Sequence, residues 1–254
     1  MKQKSTSIQY TELDSKHQSI YTEEASRYDT RRFSSRRGYL HHHYEVRAIK
    51  KLLEPLDNLN VLDVPTGTAR IAIELQRNGA HVTAADLTLE MLRVGNKKAL
   101  DESVNSTAWV NANGRVLPFA DQSFDAVLCI RFLHLLPPSD WSEFLHELRR
   151  VSKSNGSVLV QLFNPFYGGP LALTVEVLRR LRGQPGERFI WPHQITRVFN
   201  NVGLNVTSIT SYWLPGMGFL GQPESRLLNK LSDACTKSPF NWIGGHFLVL
   251  ARPQ

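Results

Sequence analysis

Asp63-Val64-Pro65-Thr66-Gly67-Thr68-Ala69-Arg70 joins a carboxylate, a glycine-containing turn and small hydroxyl residues directly after the apolar run Val61-Leu62. A second carboxylate, Asp86, follows 23 residues later, after the apolar stretch Val82-Thr83-Ala84-Ala85. A glycine in such a turn lets the backbone approach a bound nucleoside closely. An acidic residue ending the second strand can accept hydrogen bonds from both hydroxyls of a ribose. Two donors meeting one carboxylate form a charge-assisted, bidentate contact, and that makes it geometrically selective. In open α/β sheets such ligands sit outside the carboxyl ends of the strands, where the strand order reverses. The chemistry offered is therefore the binding of a nucleoside.

The elements that must hold these residues alternate in the required way. Apolar strands are expected at 61–64, 82–85, 108–110, 124–130, 158–163, 204–210 and 246–251. Helices are expected at 68–78, after Thr88, after Asp140 in a capping box, and near 193–202. Strand–helix–strand at this spacing implies right-handed crossovers and a parallel sheet. The fold class expected is α/β, Rossmann-like, with a mostly parallel seven-stranded sheet, helices on both faces and an N-terminal helical lid. Residues 1–57 would form a tail and lid, with short helices around 17–30 and a helix at 44–53 stopped by Pro55. Residues 58–254 would form the catalytic domain, carrying insertions near 164–190 and 212–241 with helical patches at 171–181 and 224–234. His41-His42-His43 point in different directions on a helix and cannot share one ion, so no metal site is expected.

The run Val61-Leu62-Asp63-Val64-Pro65-Thr66-Gly67-Thr68-Ala69 resembles the first motif of class I S-adenosylmethionine-dependent methyltransferases, whose usual form is Asp-x-Gly-x-Gly-x-Gly. Val82 to Leu92, with Asp86 at the strand end, resembles their second motif, and Asn113-Gly114-Arg115-Val116-Leu117-Pro118-Phe119 through Asp125-Ala126-Val127 their third and fourth. Leu133-His134-Leu135-Leu136 follows as in the quinone-biosynthesis, small-molecule branch. The resemblance implies S-adenosylmethionine as cofactor and S-adenosylhomocysteine as product. It implies that Asp63 steers the methionine amino group, Gly67 lets the backbone pass and Asp86 holds the ribose. Leu87 and Met91 would line the adenine, Asn113 and Gly114 would meet its edge, and Ile130 and Arg131 would frame the methionine end. Tyr28, Pro65, Thr66 and Arg115 complete the candidate cofactor-binding set. Three positions depart from the pattern. Pro65 replaces the first glycine and lacks an N–H, Ala69 replaces the third, and Asn113 offers an acceptor without charge. One glycine of three also suits a dinucleotide pyrophosphate poorly, which argues against a dehydrogenase.

Methyl transfer needs mainly an aligned nucleophile, since the sulfonium methyl is already activated. Where a base is needed, the candidates are His134 after the fourth strand, His193 after Trp191-Pro192, and Tyr167 in Asn164-Pro165-Phe166-Tyr167. Trp191, Tyr212, Trp213, Phe219 and Trp242 could line an acceptor pocket. The net charge of +7, with Arg27, Arg31, Arg32, Arg36 and Arg37 close together, suits an anionic small molecule and leaves RNA as the second reading. Intramolecular cyclisation of the cofactor, or a binding module without turnover, is a third. Two cysteines without CxxC spacing and no long apolar run point to a reducing, cytoplasmic setting with no membrane span. The oligomeric state and the acceptor are not legible.

Overall fold

A computed structural model describes residues 11–104, 107–164, 189–213, 225–236 and 244–254, together with Thr174, Leu178 and Met217. Seven strands, β1 (Asn60–Asp63), β2 (His81–Asp86), β3 (Ala108–Asn111), β4 (Phe124–Cys129), β5 (Ser152–Phe163), β6 (Leu204–Ser211) and β7 (His246–Pro253), form one sheet in the order β3-β2-β1-β4-β5-β7-β6. The five strands from β3 to β5 are parallel, while β7 runs antiparallel to both β5 and β6. The direction of winding reverses between β1 and β4, which opens a crevice at their carboxyl ends.

The sheet is covered on both faces, as its nearly continuous apolar strands require. On one face Val61, Val82, Leu128, Leu159 and Leu248 pack against α3 (Arg36–Leu53), α4 (Arg70–Arg77) and α5 (Leu89–Asp101). On the other, Leu62, Val127, Val160 and Val249 pack against α6 (Pro138–Val151) and α7 (Pro192–Asn200). The alternation along each strand decides which side chain goes to which core. Helix α6 buries Trp141, Phe144, Leu145, Leu148 and Val151 along one stripe, each contributing about 1.5–3 kcal/mol of apolar transfer. A further helix, α8 (Arg226–Cys235), lies in the second insertion and docks on α3, where Tyr44 Oη and Arg47 both donate to Asn229 Oδ1.

The N-terminal segment forms α1 (Glu12–Glu24), a 3-10 turn at Ala25–Arg27 and α2 (Tyr28–Phe33) before α3. Helix α3 starts at Arg36, eight residues earlier than periodicity implies, because Ser35 caps it by accepting from the Gly38 N–H. Its Leu40, Tyr44 and Ile49 lie in the same core as Val61, Val82 and Leu159 of the sheet. Helix α6 begins at Pro138 rather than after Asp140, since proline suits a first helical position; Asp140 is thereby free to meet Arg115. Strand β5 begins at Ser152, ahead of the expected start at 158, with residues 153–156 bulging between the Phe124–Ser152 and Ala126–Ser157 pairs. Thr88 holds the N-cap position of α5, yet its side chain makes no cap bond; its backbone N–H donates to Asp86 Oδ1 instead. Among the described residues, no helix is long and apolar enough to cross a membrane.

Candidate active site

The chain leaving β1 folds back over the sheet edge. Val64 N–H donates to Leu128 O at 2.9 Å and Thr66 N–H to Ala85 O at 2.8 Å, which stitches the turn between β4 and β2. Gly67 (φ +58°) and Ala69 (φ +57°) both take the left-handed conformation. A glycine reaches it freely; Ala69 does so at a cost of about 1 kcal/mol. This geometry aims the Gly67 N–H at Asp86 Oδ2, 2.8 Å away, while the Thr88 N–H donates to Oδ1 at 2.8 Å. Asp63 Oδ2 accepts from Thr66 Oγ1 at 2.7 Å.

Both carboxylates are buried and face a cavity of about 980 Å³, counted with its open mouth. Burial pushes Asp63 up to about 7, with the Thr66 hydroxyl opposing, and Asp86 up to about 6 against its two backbone donors. Carboxylates displaced this far by burial in a cleft form a candidate site for hydrogen-bond donors or positive charge. The cavity lining includes Tyr28, Asp63, Pro65, Thr66, Gly67, Asp86, Leu87, Met91, Asn113, Gly114, Arg115, Ile130 and Arg131, the candidate cofactor-binding set of the sequence. Three of them take unforeseen partners. Asn113 Oδ1 accepts from the Arg115 N–H at 3.0 Å. The Arg115 guanidinium turns to Asp140 (2.7 Å), Glu143 (2.8 Å) and Asp14 (3.4 Å). Arg131 adopts φ +59° at the end of β4, with its guanidinium 5.6 Å from the Phe33 ring.

Sequence reasoning missed the contribution of α1. Asp14, His17, Gln18 and Tyr21 line the same cavity. The helix is tied down by Gln18 Nε2 donating to Leu87 O at 3.2 Å and by Thr22 Oγ1 donating to Glu90 Oε2 at 3.2 Å. Asp29 of α2 accepts from Thr68 Oγ1 at 2.6 Å and Lys98 Nζ at 2.7 Å. The spacing Thr11-Glu12-Leu13-Asp14 was the available signal, and it forms a reciprocal capping box. Arg115 locks α1 to α6. Replacing it by Met is expected to leave Asp14 buried without its cation, at about 3 kcal/mol. Thermal unfolding would show the loss, and limited proteolysis would cut first within α1.

Of the candidate bases among the described residues, neither His134 nor His193 lines this cavity. His193 is exposed on the first turn of α7 and lines nothing described. Tyr167, Phe219 and Trp242 lie outside the described residues. His134 is buried in a 3-10 turn against Phe163, with ring centroids 4.0 Å apart. Burial, reinforced by the charges of Arg131 and Arg32, lowers it to about 3, so it is neutral and a poor base at neutral pH. It borders a second buried cluster that the sequence did not announce. Tyr212 Oη donates to Glu45 Oε1 at 2.9 Å, Gln161 Nε2 to the same oxygen at 2.7 Å, and His41 Nε2 lies 3.4 Å from His246 Nδ1. Burial alone would raise Glu45, but the Arg70 and Arg131 guanidiniums and the Tyr212 hydroxyl hold it at about 2. The three consecutive histidines diverge: His41 meets this cluster, His42 meets Arg70, and His43 meets the Tyr44 ring. Trp213 is buried beside His41, whereas Trp191 is exposed.

Much of the basic balance is engaged internally. Arg31 and Arg32 pair with Glu24, Arg150 with Glu147 and Asp121, and Lys153 with Asp125. Arg149 donates to Gly203 O at 3.0 Å.

Residues 61–156, from β1 into β5, match the family model described as a methyltransferase domain. The ubiquinone/menaquinone biosynthesis C-methyltransferase UbiE of Paracoccus denitrificans (strain Pd 1222) is 34% identical over 151 residues, covering 57% of this chain and 58% of that protein. The chain spans about half the length of the curated relatives it matches. Among solved structures, an S-adenosylmethionine-dependent methyltransferase from Thermotoga maritima superposes with a TM-score of 0.69 at 18% identity, over 93% of this chain and 99% of that one. Magnesium protoporphyrin IX methyltransferase from Synechocystis PCC 6803, with bound S-adenosylmethionine, gives 0.65 at 12% identity, over 98% and 100%. By sequence the segment that bears the crevice is similar to a methyltransferase domain, and the fold is similar to that of these solved S-adenosylmethionine-dependent methyltransferases.

Proposed function

We propose that this protein transfers a methyl group from S-adenosylmethionine to a small-molecule acceptor, with S-adenosylhomocysteine as the second product. The observation that carries the reading is Asp86, a buried carboxylate at the end of β2, held by two backbone N–H groups at the floor of the cavity. Its remaining lone pairs suit the two ribose hydroxyls. Asp63 lies beside it and suits an ammonium group. Leu87 and Met91 offer apolar flanks for a flat base. Bound S-adenosylmethionine supplies a methyl group already activated on sulfur.

What remains for this chain is alignment and the exclusion of water. Helices α1 and α2 act as the lid, with His17, Tyr21 and Tyr28 on its inner face. Arg131, at the cavity wall beside the methionine end, suits an anionic or electron-rich acceptor. Relatives named as quinone-biosynthesis C-methyltransferases support an aromatic carbon acceptor of that kind. Carbon methylation on an electron-rich ring also places little demand on a base, in keeping with a neutral His134. Cys129, a free and fully buried thiol on β4, is compatible with a reducing, cytoplasmic setting. Incubation with methyl-labelled S-adenosylmethionine and a cell extract tests the acceptor class. Label is expected in compounds that pass a small-pore filter; retention of all label on RNA would overturn the small-molecule assignment.

A further inference from the structure

We propose that Asp14, carried by α1 outside the strand–helix repeat, is the carboxylate that reads the edge of the cofactor's base. The inference rests on the reading that the cavity holds S-adenosylmethionine. Asp86 and Asp63 mark where ribose and ammonium would lie, so a base attached to that ribose extends along the end of β3, between Leu87, Met91 and Ala112. Polar side chains at that end of the cavity include Asn113, Asp14 and Gln18, the last of which already donates to Leu87 O.

Asn113 is already engaged, its oxygen by the Arg115 N–H at 3.0 Å and its amide nitrogen with Asp14 Oδ2 at 3.4 Å. Asp14 is only 4% exposed and lines the cavity. Its oxygens accept from Thr11 N–H at 3.1 Å, Asn113 Nδ2 at 3.4 Å and Arg115 Nε at 3.4 Å. Two of these three contacts are at the long limit of a hydrogen bond. An ionised carboxylate has about four lone-pair sites, so Asp14 retains capacity for a donor arriving from the cavity. The exocyclic amine of adenine is such a donor. The carbonyl of hypoxanthine at the same position would set an acceptor against a negative charge.

Base recognition and lid placement thereby become one event. A ligand with the wrong base meets repulsion from α1 itself, not only from the sheet.

The test is equilibrium binding of S-adenosylhomocysteine and of its hypoxanthine counterpart, measured by titration calorimetry. The wild type is expected to favour adenine by about 10- to 100-fold, the range for a hydrogen bond to a charged group. Asp14→Asn keeps the shape of the side chain and should reduce that preference to about threefold or less. The exchange Asp14→Asn with Asn113→Asp returns a carboxylate to the edge and should restore it. Thr11→Ala weakens the α1 cap but keeps the carboxylate, and its preference should match the wild type. Undiminished preference in Asp14→Asn, or equal loss in Thr11→Ala, overturns the inference alone. Loss of all binding in Asp14→Asn that the exchange does not recover also overturns it. A wild type that binds neither ligand overturns the cofactor reading, and this inference with it.

Discussion

Asp86→Ala is expected to weaken binding of S-adenosylmethionine and S-adenosylhomocysteine by about 100-fold or more. The estimate follows from losing two charge-assisted hydrogen bonds to the ribose, each worth about 1.5–3 kcal/mol. The substitution also leaves the Gly67 and Thr88 N–H groups without their acceptor, which loosens the turn after β1. A pH titration of the wild type adds an independent check. Burial raises Asp86 to about 6 and Asp63 to about 7, and only the ionised forms accept from two hydroxyls or pair with an ammonium. Affinity should therefore be highest above pH 7 and decline as the pH falls through 7 and 6. Calorimetric titrations of both proteins across that interval would show it. Equal affinities in variant and wild type would place the nucleoside elsewhere.

Asp63→Asn is expected to make the ligand-free protein more stable while impairing cofactor binding. Burial lifts the folded-state value of Asp63 from 3.8 to about 7. The folded protein thus keeps that proton to higher pH than the unfolded chain does. Stability from this group is greatest below about pH 4, is lost progressively as pH rises towards 7, and stays low above it. The amide removes the penalty of a buried charge and can still accept from the Thr66 hydroxyl. A gain of roughly a few kcal/mol at pH 8, vanishing near pH 4, follows from the size of the displacement. Thermal unfolding at the two pH values measures it. A variant less stable than the wild type at pH 8 would mean that Asp63 is held ionised by something other than a ligand. Stabilisation on removing a functional group is the usual sign that a site is kept at a cost to the fold.

The parts of the site legible in the sequence are those encoded locally. Asp63, Gly67 and Asp86 are placed by one strand–turn–helix–strand unit, whose apolar periodicity and short turn leave little freedom. The strand order then brings Asn113 and Ile130 to the same crevice, because β3 and β4 flank β2 and β1. What the sequence hid depends on long-range contacts. Asp14 reaches Asn113 only because α1 crosses the mouth of the cavity, and nothing in the weakly amphipathic run 12–24 says where it docks. Arg115 lines the cavity as its place after β3 implies, but its pairing with the carboxylates of Asp14, Asp140 and Glu143, drawn from two helices, was not legible. His134 follows β4 in sequence, but its burial against Phe163, which lowers its basicity, is set by β5, far away in sequence. The Glu45, Tyr212, Gln161 and His246 cluster likewise joins α3 to β5, to the residues after β6, and to β7, which periodicity alone cannot pair.

The central claim is that the cavity at the ends of β1, β2 and β4 supports methyl transfer. Its most direct test is mass spectrometry of S-adenosylmethionine incubated with the protein and a cell extract, with Asp86→Ala as control. The account predicts S-adenosylhomocysteine formed in step with an extract-dependent product heavier by one methyl group, both absent in the variant. Consumption of the cofactor without extract, or no consumption under any condition, would contradict it.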